Sequence, residues 1–450
     1  MSLRERQGSS LPQPGTQTPS PRSTAIAAIR PFRGLRYGPA IPPDAVIAPP
    51  YDVVGSDDVR ALIDRSPYNV ALVESCPGAD ETRYELAAEA LRRWQDERAL
   101  LRDEQPAYYV YEQRFTVGGA DHTRRCFFAR MRLHPPGDGV VRLHEATMAG
   151  PKQERLKLLR ATGVNVSPIF AMFDDREGTA LTALNEVARG EPVFEAKDAR
   201  GCEHRLWPVR DEAQMQALTA AVAASPVTIA DGHHRYETAL LYAQEQRSEA
   251  ARWVLTGLIG VNDPGLLILP NHRLVRTDQL SGDLLDGLAQ LYEIEDVTPE
   301  APSAAAVRRL WERVQANAGG ATTFGVIGIE GQRLHLLTAR SGGAIDGAMP
   351  AAWSAASRSL DVLILTETIL RPLLGIEQAT LDAGDRVGFT SEAEDAWREI
   401  EDGHYQLAFL INAVRVEQVI AVADAGELMP QKATFFYPKL ATGMVLNPVD

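Results

Sequence analysis

Apolar positions along the chain recur at two periods, and each change of period marks a new element. Residues 81 to 101 place Tyr84, Ala87, Leu91 and Trp94 at three-to-four spacing, which predicts a long amphipathic helix after a shorter one at 57 to 65. Tyr108 to Val117 and Arg124 to Leu133 are rich in strand-forming residues and meet at Gly118-Gly119, so they predict a hairpin. Asn165 to Phe173 reads as a buried strand entered from a turn. A helix follows at about 178 to 188, then strands at about 191 to 196 and 203 to 209 and a helix at about 212 to 224. Val227 to Ala230 is an apolar, partly β-branched run. Asp231-Gly232 turns the chain, and Tyr236, Ala239 and Leu240 resume the helical period, giving strand, tight turn and helix. Trp253 to Val261 and Leu266 to Leu269 supply further strands.

Strands and helices interleaved with hairpins predict an α+β fold built on a mixed sheet. From about residue 277 the composition shifts toward Ala, Leu and Glu. Helices near 279 to 291, 302 to 316 and 391 to 402, with strands near 322 to 339 and 405 to 411, predict a second, C-terminal α/β unit. The expected division is a disordered tail at 1–25, a first domain at 26–276 and a second at 277–450.

Candidate chemistry concentrates at the turn. The start of a helix leaves backbone N–H groups without intrahelical partners and carries partial positive charge, so an anion is favoured there. His233, His234 and Arg235 fall in that first turn, where cationic side chains oppose the dipole unless an anion offsets them. A phosphate accepting from the backbone, from Gly232 onward, and from the Arg235 guanidinium resolves the conflict. The bland alternative is a solvated helix start with a carboxylate partner elsewhere.

Other candidates lie at a distance in sequence. Arg142 to Arg155 holds His144, Glu145, Thr147, Lys152 and Arg155. Lys152 and Arg155 are three apart, so on a helix they share a face and could clamp two oxygens of one phosphate chain. His144-Glu145 lacks the second His of a zincin. Asp52 and Arg33 flank a proline-rich stretch, where either a pocket wall or a corner packed by Tyr51 is expected. His272 and Arg273 form a second His-Arg pair at a strand end. Lys432 and Lys439 flank an aromatic run that either stacks a base and neutralises phosphate or docks the C-terminus as a strand.

Net charge is −14, which disfavours nucleic acid as principal partner while leaving room for a local basic pocket. No apolar run approaches the roughly 20 residues that span a bilayer, so a cytoplasmic protein with no membrane partner is expected. Cys76, Cys126 and Cys202 are scattered and odd in number, against a disulfide framework or a Cys-x-x-Cys metal site. No Gly-Lys-Ser/Thr phosphate loop occurs, which excludes a Walker-type NTPase.

Asp231-Gly-His-His-Arg-Tyr-Glu-Thr-Ala239 resembles the Gly-x-His-Arg-x-x-Ala signature of the ParB/sulfiredoxin superfamily, and among its branches the wording is most similar to free serine kinases. The chain from Pro31 to Lys439 resembles the domain of unknown function 1015 family. The superfamily resemblance implies a ParB/sulfiredoxin-like domain whose turn holds nucleotide phosphates. A His stands where the sulfiredoxin branch has its cysteine, so sulfinic acid repair is disfavoured.

Together these features predict a nucleotide-dependent phosphotransferase acting on a small hydroxylated metabolite such as serine, with ATP or ADP and Mg²⁺ as cofactors. Glu145 is the expected base. Asp231 holds the turn or binds Mg²⁺ with Asp52. His233, His234 and Arg235 contact phosphates, and Lys152, Arg155, His272, Arg273 and Lys432 line the pocket. The alternatives are a nucleotide-binding regulator without turnover and a metal hydrolase using His144, Glu145, His233, His234 and His272.

Overall fold

The computed structural model describes residues 26–78, 80–147, 149–277, 284–377, 380 and 386–449. The tail expected at 1–25 lies outside them, as does the start of the helix expected at 279.

The architecture is α+β, organised by two sheets. The larger has nine strands. From one edge it runs Val141–Arg142, Val227–Asp231, Ile169–Phe173, Trp253–Gly260, Ala120–Arg132, Tyr108–Val117, Glu203–Val209 and Phe194–Lys197, and Ile29–Arg30 also pairs with Ala120–Arg132. Val227–Asp231 lies parallel to Val141–Arg142, and Trp253–Gly260 parallel to Ile169–Phe173. Every other pairing is antiparallel, so the sheet is mixed as expected. Gly118 and Gly119 take φ of 58° and 80°, the left-handed pair that a two-residue hairpin requires.

Side chains alternate across this sheet. Tyr108 and Val110 join a core shared with the helices Thr179–Val187, Glu212–Ala223 and His233–Gln246. Tyr109 and Tyr111 join the opposite core, where Phe32, Leu440 and Val445 pack. The helix carrying the central turn is thus fixed by Tyr236 and Ala239 to one face, and its start is held at the sheet's end.

The second sheet has six strands in the order Tyr292–Asp296, Leu334–Ala339, Thr323–Ile327, Leu407–Leu410, His272–Val275 and Val387–Thr390, antiparallel throughout. Helices Ala304–Ala316 and Ala393–Glu401 cover one face with Leu310, Val314 and Trp397. The division expected at 276/277 is crossed in both directions. His272–Val275 belongs to this later sheet, while Phe435–Tyr437 returns to pair with Leu267–Leu269 and Asn447–Pro448 with Val164–Asn165. One apolar core continues through both sheets. Among the described residues no helix is long and apolar enough to cross a membrane.

Candidate functional site

Strand Val227–Asp231 ends on a carboxylate, Gly232 takes φ 87°, ψ 29°, and helix His233–Gln246 begins at once. The left-handed conformation suits glycine, and a Cβ there would stand 3.1 Å from the Arg235 guanidinium. Gly232 brings no side chain to cap the helix start.

The side chains divide into an inner and an outer group. Inside, Arg235 Nη2 donates to Asp231 Oδ2 at 2.8 Å and Nη1 donates to the Pro168 carbonyl. Lys439 Nζ donates to Asp231 Oδ1. Burial alone would raise the Asp231 carboxyl, but Lys439 and Arg235 outweigh it and hold the group well below the usual carboxylate range. This settlement differs from the expected one. Both oxygens of Asp231 already face cations, so it does not fit a Mg²⁺ ligand, and Arg235 is committed to an internal acid and a carbonyl. Asp52 is exposed on the short turn Tyr51–Val53.

Two buried histidines back this pair. His144 Nδ1 donates to the Ile229 carbonyl at 2.7 Å, which leaves Nε2 to accept from the Thr434 hydroxyl at 3.1 Å. Burial pushes His144 down to about 4. The His233 ring lies edge-on to it, centroids 4.6 Å apart, and its Nε2 is buried without a hydrogen-bond partner among the described residues. Burial and the neighbouring His144 hold His233 well below the usual histidine range. Both rings are therefore neutral at pH 7.

The outer group lines the rim. Lys152 Nζ donates to Glu237 Oε2 at 2.7 Å and to the Thr147 hydroxyl at 3.0 Å, and Thr147 donates to the same Glu237 oxygen at 2.5 Å. His234 sits in the fields of Glu237, Lys152, Asp52 and Lys432. Glu145 is half-buried and accepts from the Lys432 N–H. Burial pushes its carboxyl up to about 7 even though Lys439 and Lys432 pull it down. Lys432 is exposed with φ 57°, and its carbonyl accepts from Asn271 at 2.7 Å and from Arg273 Nη2 at 3.1 Å.

The structure therefore gathers Asp231, Gly232, His233, His234, Arg235, Glu145, Lys152, Lys432, Lys439 and Arg273 around one helix start. It places others elsewhere. Arg155 turns inward, with Nη1 2.6 Å from the Glu74 carbonyl and its guanidinium 4.1 Å above the Tyr51 ring. It thus diverges from Lys152, and the expected clamp of two oxygens by that pair is not formed. Arg155 and Arg235 line a cavity of about 50 Å³, room for a water or two and not for a nucleotide. His272 packs 4.7 Å from the Trp311 ring on the second sheet, because successive residues of a strand face opposite sides and Arg273 takes the site-facing one. Arg33 donates to the Asp103 carbonyl at 2.8 Å. Of the histidines expected of a metal hydrolase, His144 and His233 lie together, but both nitrogens of His144 are engaged by Ile229 and Thr434 and His272 lies apart. Phe435–Tyr437 pairs as a strand, the docking alternative for the aromatic run.

Sequence reasoning missed Glu237 and the Pro168 carbonyl. Glu237 stands inside the same motif and was legible as a carboxylate one helical turn from His233. The Pro168 carbonyl has no side-chain signal.

A family model described as "Protein of unknown function (DUF1015)" matches residues 29–363. No protein of curated function matches the chain. Among solved structures, a free serine kinase in complex with AMP is similar at 12% identity, with 66% of this chain and 83% of that one covered and a TM-score of 0.33. A conserved hypothetical protein from Pyrococcus furiosus is similar at 13% identity, covering 67% and 90% with a TM-score of 0.32. SbnI with a C-terminal truncation, from Staphylococcus aureus, is similar at 10% identity, covering 69% and 84% with a TM-score of 0.33. These likenesses are loose.

Proposed function

We propose that this chain, which belongs to the DUF1015 family, is a phosphotransferase that holds the phosphates of ATP or ADP at the start of helix His233–Gln246 and transfers a phosphoryl group to the hydroxyl of a small metabolite, serine among them. The observation that carries the reading is the helix start itself. It lacks a side-chain cap and is bordered by Lys152, Lys432 and His234, while a carboxylate of raised proton affinity stands beside it.

In this reading Glu145 takes the proton of the acceptor hydroxyl, and a group near 7 is matched to that task at neutral pH. The hydroxyl oxygen bonds to the terminal phosphorus as the bond from phosphorus to the bridging oxygen breaks. Charge left on the nucleotide is met by the first-turn N–H groups and by Lys432. Asp231, Arg235 and Lys439 hold the turn rigid and do not touch the reacting atoms. Magnesium would arrive with the nucleotide, since both oxygens of Asp231 already face cations and do not fit it.

A second reading, binding of nucleotide without turnover, is favoured by the internal commitment of Arg235 to Asp231 and Pro168. The two separate in one experiment. ATP and ADP are titrated against the full chain by calorimetry, then phosphoryl transfer is followed with a panel of hydroxy amino acids. Binding with acceptor-dependent turnover supports the transferase, binding alone supports the second reading, and no heat with either nucleotide overturns both.

A further inference from the structure

The turn closing the hairpin between Phe194–Lys197 and Glu203–Val209 carries chemistry that the phosphate site does not use. Gly201 takes φ 83°, and the Asp198 N–H meets the Cys202 carbonyl at 3.0 Å, so the chain reverses tightly. Asp198 Oδ1 accepts from the N–H groups of Arg200 at 2.8 Å and Cys202 at 2.9 Å. That oxygen is committed to the turn, and Oδ2 remains. Cys202 and His204 flank Glu203, so the strand period puts them on one face.

As a result, one ligand atom each from Asp198, Cys202 and His204 lies within 4.8 Å of the other two, and among the described residues this is the one such group of three. Asp198 Oδ2 stands 3.4 Å from His204 Nε2. That separation is the edge of a tetrahedron whose metal bonds are about 2.0–2.1 Å long. His204 is 1% exposed, and among the described residues its Nε2 has no hydrogen-bond partner beyond the 3.4 Å approach of Asp198 Oδ2. Its Nδ1 is 2.7 Å from the Tyr111 hydroxyl, which can accept the Nδ1 proton when Nε2 binds a metal. Cys202 Sγ, 4% exposed as a residue, has only long contacts, to Gln113 Nε2 at 4.0 Å and to the Glu203 carbonyl at 3.8 Å.

We propose that Asp198, Cys202 and His204 bind one divalent ion of the zinc type, with a fourth position open to solvent on the Asp198 side. Thiolate, imidazole and carboxylate together form a donor set suited to zinc, and the thiol gives up its proton to solvent on binding. Asp198 is a quarter exposed, which supplies the entry path. The same Gln113 amide nitrogen that approaches Cys202 also donates to the Lys439 carbonyl at 3.0 Å. A bound ion thereby braces the segment that delivers Lys439 to Asp231. The competing arrangement is an imidazolium paired with Asp198 and no ion.

The test adds Co²⁺, then Zn²⁺, to the chelator-treated full chain. Co²⁺ is expected to saturate near one per chain with a thiolate-to-cobalt charge-transfer band, to be displaced by Zn²⁺, and to raise the melting temperature. Cys202→Ser loses the band. Asp198→Asn, whose amide oxygen can still accept from the N–H groups of Arg200 and Cys202, keeps the band and weakens binding by about tenfold or more. A cobalt spectrum without the thiolate band, or equal affinity in wild type and Asp198→Asn, overturns the site. If Cys202→Ser does not fold, the Asp198→Asn titration decides alone.

Discussion

Lys439 and Asp231 stand 208 residues apart in sequence and meet as an ion pair at the end of the larger sheet. The last segment of the chain thereby closes on the turn that starts helix His233–Gln246. Asp231 also holds Arg235, so one carboxylate separates two cations that would otherwise face each other. Removing that carboxylate leaves two largely buried positive groups unpaired.

Asp231→Asn is therefore expected to cost about 3 kcal/mol, more than Lys439→Ala, which leaves the Arg235 bond in place. The pH dependence has a definite sign. The folded carboxyl is held below its unfolded value of about 3.9, so its stabilisation is present above that pH and is lost as pH falls toward the folded value. Denaturant midpoints of the wild type should decline below about pH 4, and the Asp231→Asn protein should show a shallower decline. Parallel acid profiles for the two proteins would contradict this.

Glu145 acts in the opposite sense. Its folded carboxyl is raised to about 7, so the folded state holds a proton that the unfolded state has released. Stability contributed by the protonated group is complete below about pH 4.3 and is lost as pH rises through 7. Glu145→Gln should then be more stable than wild type at pH 8 by about 2 kcal/mol, the shift being discounted for the solvent the half-buried group still meets, and the difference should vanish near pH 4. In the transferase reading, kcat/KM rises through about pH 7 in the wild type and is low and flat in the variant. Stability that falls with the substitution at pH 8 would remove Glu145 as the base.

Legibility in the sequence followed locality. The Asp231 to Arg235 turn was readable because a left-handed glycine between a strand and a helical period is a short-range signal. The Gly118-Gly119 hairpin was readable for the same reason. The contact of His144 with Thr434 spans 290 residues, and that of Asp231 with Lys439 spans 208, so no local pattern announces either. For Lys439 the sequence leaves phosphate contact and strand docking equally open, because its partner Asp231 is chosen by the return of the chain end to the first sheet. His272 was grouped with Arg273 by adjacency, although neighbours on a strand face opposite sides. The grouping of Asp198, Cys202 and His204 is carried by Cys-x-His beside a turn aspartate and not by any spacing among the cysteines.

Gly232→Ala probes the turn without touching charge. At φ 87° an L side chain costs about 1–2 kcal/mol, and its Cβ would press on the Arg235 guanidinium at 3.1 Å. The expected outcome is a lower melting temperature together with weaker nucleotide binding in calorimetry. A loss of stability with unchanged nucleotide affinity would separate the turn from the ligand site.

Lys432 allows stability and binding to be moved in opposite directions. Its φ of 57° is strained for a side-chain-bearing residue, and its bonds to Asn271 and Arg273 are made through the carbonyl, which any residue supplies. Lys432→Gly relieves about 1–2 kcal/mol of strain against about 0.4–1 kcal/mol for the added freedom of the unfolded chain, so stability should rise by about 0.5–1 kcal/mol. The same change removes an exposed positive charge from the rim beside Glu145 and His234. If phosphates are held there, nucleotide affinity should fall roughly fivefold, the equivalent of about 1 kcal/mol, and the loss should shrink as salt is added. A merely structural role for Lys432 predicts the stability change alone. Unchanged affinity at low salt would therefore place the nucleotide, if one binds, away from this helix start.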